Sequence, residues 1–483
     1  MHIEGGQHAR RPPWAANPRF DGMHDPFRTQ GRTHEMSILS RTLTRRTSLK
    51  LAGAGLTFAG LGASRTAAMA QDAAKISLWL DVTSGSETAQ CIIDGPISDY
   101  NAQGGIQVEA TMQANGWTAV QTALAGGAGP DVVITPGPSF AFELAKANQL
   151  VALDDYATQH KWAESFVPWA LDLGKIGGKL YSLPTEIETL VLYYNKTMFE
   201  EHEWTPPTTI DEMMALAETI NGEGIIPFAH ANAEWRPANE WFVGEFLNHG
   251  AGPDKVYQAL KGELKWTDQV FIDALTPLNQ AQENGWFMGG LDRYYTTTSD
   301  DAAASIAYGD AAMKIEGSWF INDALTFFEE SGQEWDWVPM PSTTGDAIYD
   351  LGIGSTFSIN AASKSPDATA EFLTYFFSGE AQAHLAVDCG MSTAPVAIAP
   401  DLLSGLDERQ SRLVEELNKA SEANNYGYTT WTFWPPKTEV YLYEEIEKVW
   451  AGDVTLEAYL QGLQDLFDQE LAAGDLPPLP ERS

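Results

Sequence analysis

The chain has 483 residues, 44% hydrophobic and 20% charged, which marks it as globular and makes it too long for one ordinary core, so two or more lobes are expected. A formal net charge of −37 argues against nucleic acid or an anionic membrane surface as a partner, because phosphate recognition needs clustered Lys and Arg. The charge is read as a solvated acidic surface.

The first 70 residues do not share this acidity. They hold ten of the 29 basic and four of the 66 acidic residues, which leaves 19 against 62 and a net of −43 for the remainder. Within them, Thr44-Arg-Arg-Thr-Ser-Leu-Lys50 precedes an apolar run, Leu51 to Ala63, and then Ala68-Met69-Ala70. This charged, apolar and small-residue order predicts a secretory signal over 36–70, and the paired arginines resemble the twin-arginine type. Thirteen apolar or small residues are too few for a stable membrane anchor. Residues 1–35 are Pro-, His- and Arg-rich and are read as a non-native or disordered leader, with Met36 a candidate start. A soluble, periplasmic protein is expected.

Lys75 to Val82 predicts a strand, followed by a polar turn, Thr83-Ser-Gly-Ser-Glu87, and a helix to about Asn101. Ile106 to Met112 alternates with period two and predicts a second strand. A helix over 117–125 leads through Gly126-Gly-Ala-Gly-Pro130 into a buried strand, Asp131 to Thr135, and then a helix from Ser139 to about Asn148. Strand-helix alternation with short links predicts a parallel α/β lobe, whose ligands collect at the carboxyl ends of the strands, in loops 83–87 and 135–139. Lys179 to Asn195 reads as a crossover out of this lobe. Beyond it, Thr209-Ile-Asp-Glu212 is a capping box, Ile225 to Ala229 and Ala311 to Glu316 predict strands, and Trp335 to Pro339 is extended. Leu351 to Asn360 and Met391 to Val396 predict a second and a third crossover. In the last helix, Leu456, Tyr459, Leu460, Leu463, Leu466, Phe467 and Leu471 form a stripe expected to be core.

Motifs for a nucleophilic serine, a zinc protease or a phosphate-cradling loop are absent. The histidines are scattered, and neither Cys91 nor Cys389 has a partner at metal-ligand spacing, so neither a metal nor a cofactor is expected. In an oxidising compartment the two cysteines could pair; two separate buried thiols are the alternative. Trp235, Trp241, Trp286, Trp319, Trp431 and Trp434 stand near turns or helix starts. A sugar ring stacks on indole while its hydroxyls need carboxylates, amides and Arg, so these residues beside Glu and Asp suggest a neutral-sugar site.

In this order, Gly178-Lys-Leu-Tyr-Ser-Leu-Pro-Thr-Glu-Ile-Glu-Thr-Leu-Val-Leu-Tyr-Tyr-Asn-Lys196, Gly309-Asp-Ala-Ala-Met-Lys-Ile-Glu-Gly-Ser-Trp319, Ser358-Ile-Asn-Ala-Ala-Ser363 and the Glu371 helix resemble a family 1 extracellular solute-binding protein, the carbohydrate-capturing component of an ABC importer. The resemblance runs over nearly all of residues 75–472. It implies an α/β, two-lobe periplasmic-binding-protein (type II) fold with three hinge crossings. The N-terminal lobe would comprise 71–186 and 355–392, and the C-terminal lobe 187–354 and 393–483. Both cysteines then fall in one lobe, which permits a disulfide.

Carried over by position, Glu188 matches a carboxylate that contacts sugar in maltose-type members, with Glu186 beside it. Trp319 matches a stacking aromatic, Trp431 or Trp434 another, and Trp241 a third, with Trp235 and Arg236 nearby. Ser84, Glu87 and Ser139 occupy loops where members place polar contacts. The charged Asp-Lys pair of some maltose binders is missing here, which argues against maltose. The implied function is non-enzymatic: a monomer captures a sugar and delivers it to permease subunits. The alternatives are a binder of a polyol or glycerol phosphate, with Arg236 as the phosphate contact, and a secreted polysaccharide-degrading enzyme.

Overall fold

The computed structural model describes residues 74–82, 87–423 and 425–482; the stretches expected to be a leader (1–35) and a signal (36–70), and Ser84, lie outside the described residues. The first strand, β1 (Lys75–Asp81), buries Ile76, Leu78 and Leu80 on alternate positions, as the period of two requires. It pairs in parallel with β2 (Gln107–Gln113) along its whole length and with β3 (Val132–Thr135) on its other side. The expected single helix after β1 is instead Glu87–Ile92, a wide turn Ile93–Ile97 and Ser98–Ala102. Gly95 leaves helical geometry just before Pro96, whose ring cannot continue a helix interior, and the bare Gly95 backbone packs against His384.

A short hairpin, β4 (Lys175–Ile176) and β5 (Lys179–Leu180), precedes β6 (Leu183–Pro184), β7 (Ile187–Glu188) and β8 (Leu190–Asn195). These last three strands belong to three different sheets. Further on come β9 (Ile226–Phe228), β10 (Ala311–Gly317), β11 (Trp335–Pro339), β12 (Asp350–Ile353), β13 (Thr356–Ile359) and β14 (Gly427–Tyr428). The first lobe holds the sheet β2-β1-β3-β13-β6 and the second holds β11-β8-β10-β9. Between them runs a small sheet, β14-β12-β7.

The chain crosses between lobes at β6–β7–β8 and at β12–β13. Met391–Val396, expected as the third crossing, instead packs on the first core, and Pro400–Leu403 still lies against the helix Gly379–Cys389, so the return to the second lobe comes later, before the helix Glu408–Glu422. The segments between the lobes are bonded to one another. Glu188 is opposite Gly352, Ile187 opposite Ile353, the Thr185 amide donates to the Ser355 carbonyl at 3.0 Å, and the Ile187 amide to the Thr393 carbonyl at 3.1 Å.

Each lobe has its own core. Ile76, Leu78, Leu183, Ile359, Phe372 and Leu373 fill the first. Val191, Leu192, Phe242, Phe246, Leu460 and Phe467 fill the second; in the last helix, Leu456–Ala473, Tyr459, Leu460, Leu463 and Phe467 of the expected stripe are core, Leu456 and Leu471 pack at its edge, and Leu466 lies outside the cluster. The helix Ile210–Gly222 starts with both bonds of the expected capping box between Thr209 and Glu212.

Cys91 and Cys389 form a disulfide with Cα atoms 5.7 Å apart and a sequence separation of 298. It ties the helix Glu87–Ile92 to the helix Gly379–Cys389 within the first lobe. Closing so long a loop removes much of the unfolded chain's freedom. The double variant C91A/C389A is expected to lose roughly 2–5 kcal/mol of stability, read as a lower thermal midpoint that reductant does not shift further.

Candidate functional site

The carboxyl ends of β1 and β3 supply Asp81, Thr135 and Pro136 to one wall of a cavity of 350 Å³. Trp79 and Trp117 stand on the same wall, and the crossings add Thr185, Glu186, Ser355 and Ser392. Ligand sites in parallel α/β sheets lie at such strand ends because the loops there are free to vary. Among the described residues, the single contribution from the second lobe is Trp235.

Trp235 also lines a second cavity, of 220 Å³, which belongs to the second lobe. Here β10 places Lys314 and Glu316, two residues apart and so on one face, beside Trp241, Trp319, Phe320 and Asp323. Lys314 and Glu316 are buried and form an ion pair at 2.9 Å. A second oxygen of Glu316 accepts from Trp319 Nε1 at 3.1 Å, which fixes the indole plane. The ring lies directly over Gly317, leaving no room for a Cβ there, and meets Trp241 edge-on at 5.1 Å between centroids. The two cavities are thus continuous in their lining through one indole, with an aromatic wall on each side.

The residues expected from the sequence do not share one environment. Trp235, Trp241, Trp319 and Glu186 line the cavities. Trp431 is buried behind them, with its ring 6.2 Å from that of Trp319. Glu188 is buried against Gly354 in the crossing, at the back of Glu186.

Three others are spoken for elsewhere. Trp434 is fully buried and stacks on Trp266 at 4.3 Å in the core of the second lobe. Ser139 is buried with its hydroxyl donating to the Trp431 and Trp434 carbonyls at 3.0 and 3.1 Å, so it joins the lobes and does not present a polar group to a ligand. Arg236 points outward and holds Glu447 with two bonds, at 2.9 and 2.7 Å. Both its fork and its charge are satisfied there, so the expected phosphate contact is not in the cleft. Glu87 opens the helix Glu87–Ile92.

Sequence reasoning passed over Trp79, Asp81, Trp117, Lys314 and Glu316. The signal for the last two was present in Lys314-Ile-Glu316-Gly-Ser-Trp319: charged residues alternating along a strand otherwise apolar throughout must face something polar or be paired.

Burial pushes the Glu186 carboxyl up to about 7, opposed in part by a hydrogen bond from Ser355. Glu188 is raised well above the carboxylate range, by burial first and by the Glu186 charge second. A carboxyl whose folded pKa exceeds its unfolded value takes up a proton on folding. Its unfavourable contribution is therefore complete above about pH 7 and is relieved as pH falls toward 4.5. The thermal midpoint is expected to rise between pH 8 and pH 5, and E186Q to flatten part of that rise; an unchanged slope would place the titration elsewhere.

Residues 97–401, more than half of the chain, match the family model described as bacterial extracellular solute-binding protein. The chain is 30% identical to the diacetylchitobiose binding protein NgcE of Streptomyces coelicolor, over 59% of this chain and 61% of that protein. It is 24% identical to the multiple sugar-binding protein of Streptococcus mutans, over 65% and 72% of the two chains. An ABC transporter extracellular-binding protein of Pyrococcus horikoshii shares 27% identity over 49% of this chain, which spans about half (52%) of that relative's length. Among solved structures, a chitin oligosaccharide binding protein superposes with a TM-score of 0.68 at 18% identity, covering 83% of this chain and all (100%) of that one. The raffinose complex of RafE gives 0.62 at 20% identity, covering 82% and 99%. The two lobes, the bonded strands that join them and the length of the family match agree, and the chain belongs to the bacterial extracellular solute-binding proteins.

Proposed function

We propose that the protein captures a neutral sugar or oligosaccharide between its lobes and delivers it to the permease of an ABC importer, without chemical change. The observation that carries this reading is the pair of aromatic-walled cavities, one on each lobe, that share Trp235. Trp79, Trp117, Trp235, Trp241 and Trp319 offer flat faces for sugar rings, and Asp81, Glu186, Glu316 and Asp323 offer acceptors for hydroxyls. A ligand that touches both walls binds the closed arrangement better than the open one, and that difference in affinity drives closure about the crossings. Names of relatives point the same way: one is a multiple sugar-binding protein and another binds diacetylchitobiose.

A phosphate-bearing ligand is less well served. Among the described residues lining the two cavities the sole cation is Lys314, and Glu316 already pairs with it. The protein would be exported through its twin-arginine-type segment and act as a monomer.

A thermal-shift screen over mono-, di- and oligosaccharides, polyols and glycerol phosphate tests the reading. A neutral sugar is expected to raise the midpoint, because a ligand bound only by the folded state stabilises it by mass action, and chromatography is expected to return that sugar intact. Stabilisation by glycerol phosphate alone, or hydrolysis of the sugar, would overturn it.

A further inference from the structure

The helix Ala238–Ala251 carries Glu245 and His249 four residues apart, hence on one face. Opposite them, β12 begins with Asp350. All three are buried, at 2%, 1% and 0% exposure, and none lines either cavity of the cleft. One donor atom from each lies within 4.8 Å of the other two. His249 Nε2 is 3.2 Å from Glu245 Oε2 and 3.6 Å from Asp350 Oδ1.

Glu245 Oε2, His249 Nε2 and both oxygens of Asp350 are buried without a well-aligned hydrogen bond, their polar neighbours being one another, the Asn248 amide and the Met340 carbonyl. Polar atoms without such a bond are rare in a protein interior, because each costs desolvation. Here several converge on one point. The surroundings keep the cluster in place without neutralising it. Asn248 accepts from the Tyr428 amide at 3.0 Å and donates to the Tyr428 carbonyl at 3.1 Å, fastening the helix to β14. The backbone of Gly427 passes so close to Asp350 that a side chain there would collide with the carboxylate. The Met340 carbonyl lies beside the imidazole.

We propose that Glu245, His249 and Asp350 form a structural site for a divalent transition cation of the zinc class. Imidazole and carboxylate are ligands such an ion accepts, and two donors about 2.1 Å from one tetrahedral ion lie about 3.4 Å apart, close to the spacings seen. Two carboxylates and a neutral imidazole carry a charge of about −2, which a divalent ion cancels where, among the described residues, no Lys or Arg pairs with them. The second oxygen of a carboxylate or a buried water completes the shell. Two residues further along β12, Gly352 pairs with Glu188 in the crossing. The ion would therefore anchor a hinge strand to the rigid part of the second lobe.

The test uses the full chain, purified without a histidine tag. After gel filtration, elemental analysis is expected to find about one zinc per chain, either as purified or after loading with zinc chloride. Chelation is expected to lower the thermal midpoint by roughly 3 °C or more, and added zinc to restore it. D350N is expected to lose the retained metal. The wild-type measurements stand even if that variant folds poorly. Less than about a tenth of an equivalent in the loaded wild type, with a midpoint indifferent to chelation and zinc, would overturn the site, as would equal retention by a folded D350N. Because the readouts are metal content and stability, they do not depend on which sugar the cleft takes.

Discussion

Replacing Trp434 by alanine is expected to lower stability by about 3–5 kcal/mol, the cost of deleting a fully buried indole. Its ring has no exposure and stacks on Trp266, which in turn touches Phe271 and Phe467. No neighbour is free to fill the space, because the Trp266 amide is itself held by Gln464 at 2.6 Å. The indole N–H of Trp434 has no acceptor, so W434F keeps the packing and removes an orphan donor. That variant should cost far less, below about 1.5 kcal/mol. Thermal and denaturant midpoints check both. Sugar affinity in folded W434A should stay near that of the wild type; a large loss of affinity at an unchanged midpoint would return Trp434 to the binding surface.

Trp319 should behave in the opposite way. W319A is expected to weaken sugar binding by roughly 1–3 kcal/mol through lost stacking and burial, with a smaller effect on the midpoint because the ring is only half-buried. Its removal also frees the Glu316 oxygen that the indole holds and leaves the face of Trp241 open. W319F, which keeps a flat ring but no N–H, should retain part of the affinity. Calorimetric titration with whichever sugar the screen selects is the measurement. Unchanged affinity in W319A would remove it from the site, and the lost Glu316 bond would then be purely structural.

The contrast between these two tryptophans shows where sequence reading reaches its limit. Both follow a turn and both stand in aromatic segments, so local pattern treats them alike. What separates them is a neighbour far away in the chain: Trp266 covers one, while Gly317 and Glu316 orient the other toward the cavity. Arg236 is a similar case. A lone cation among aromatics reads as a ligand contact until Glu447, over two hundred residues on, is found holding it.

Properties that depend on neighbours in sequence were legible. The period of two in β1 and β2, the Thr209 capping box and the apolar stripe of the last helix each follow from local geometry, and each is present as read, Leu466 of the stripe apart. The crossover at 179–195 was visible because an unbroken apolar strand, β8, follows a proline-containing turn. Only the tertiary structure decided which side chains share a space. It paired Cys91 with Cys389, brought Asp81, Glu186 and Trp235 to one cavity, and set Asp350 against Glu245 and His249. Those meetings depend on how the sheets and the segments between the lobes pack, and residues brought together from distant parts of the chain leave no periodic trace in one sequence.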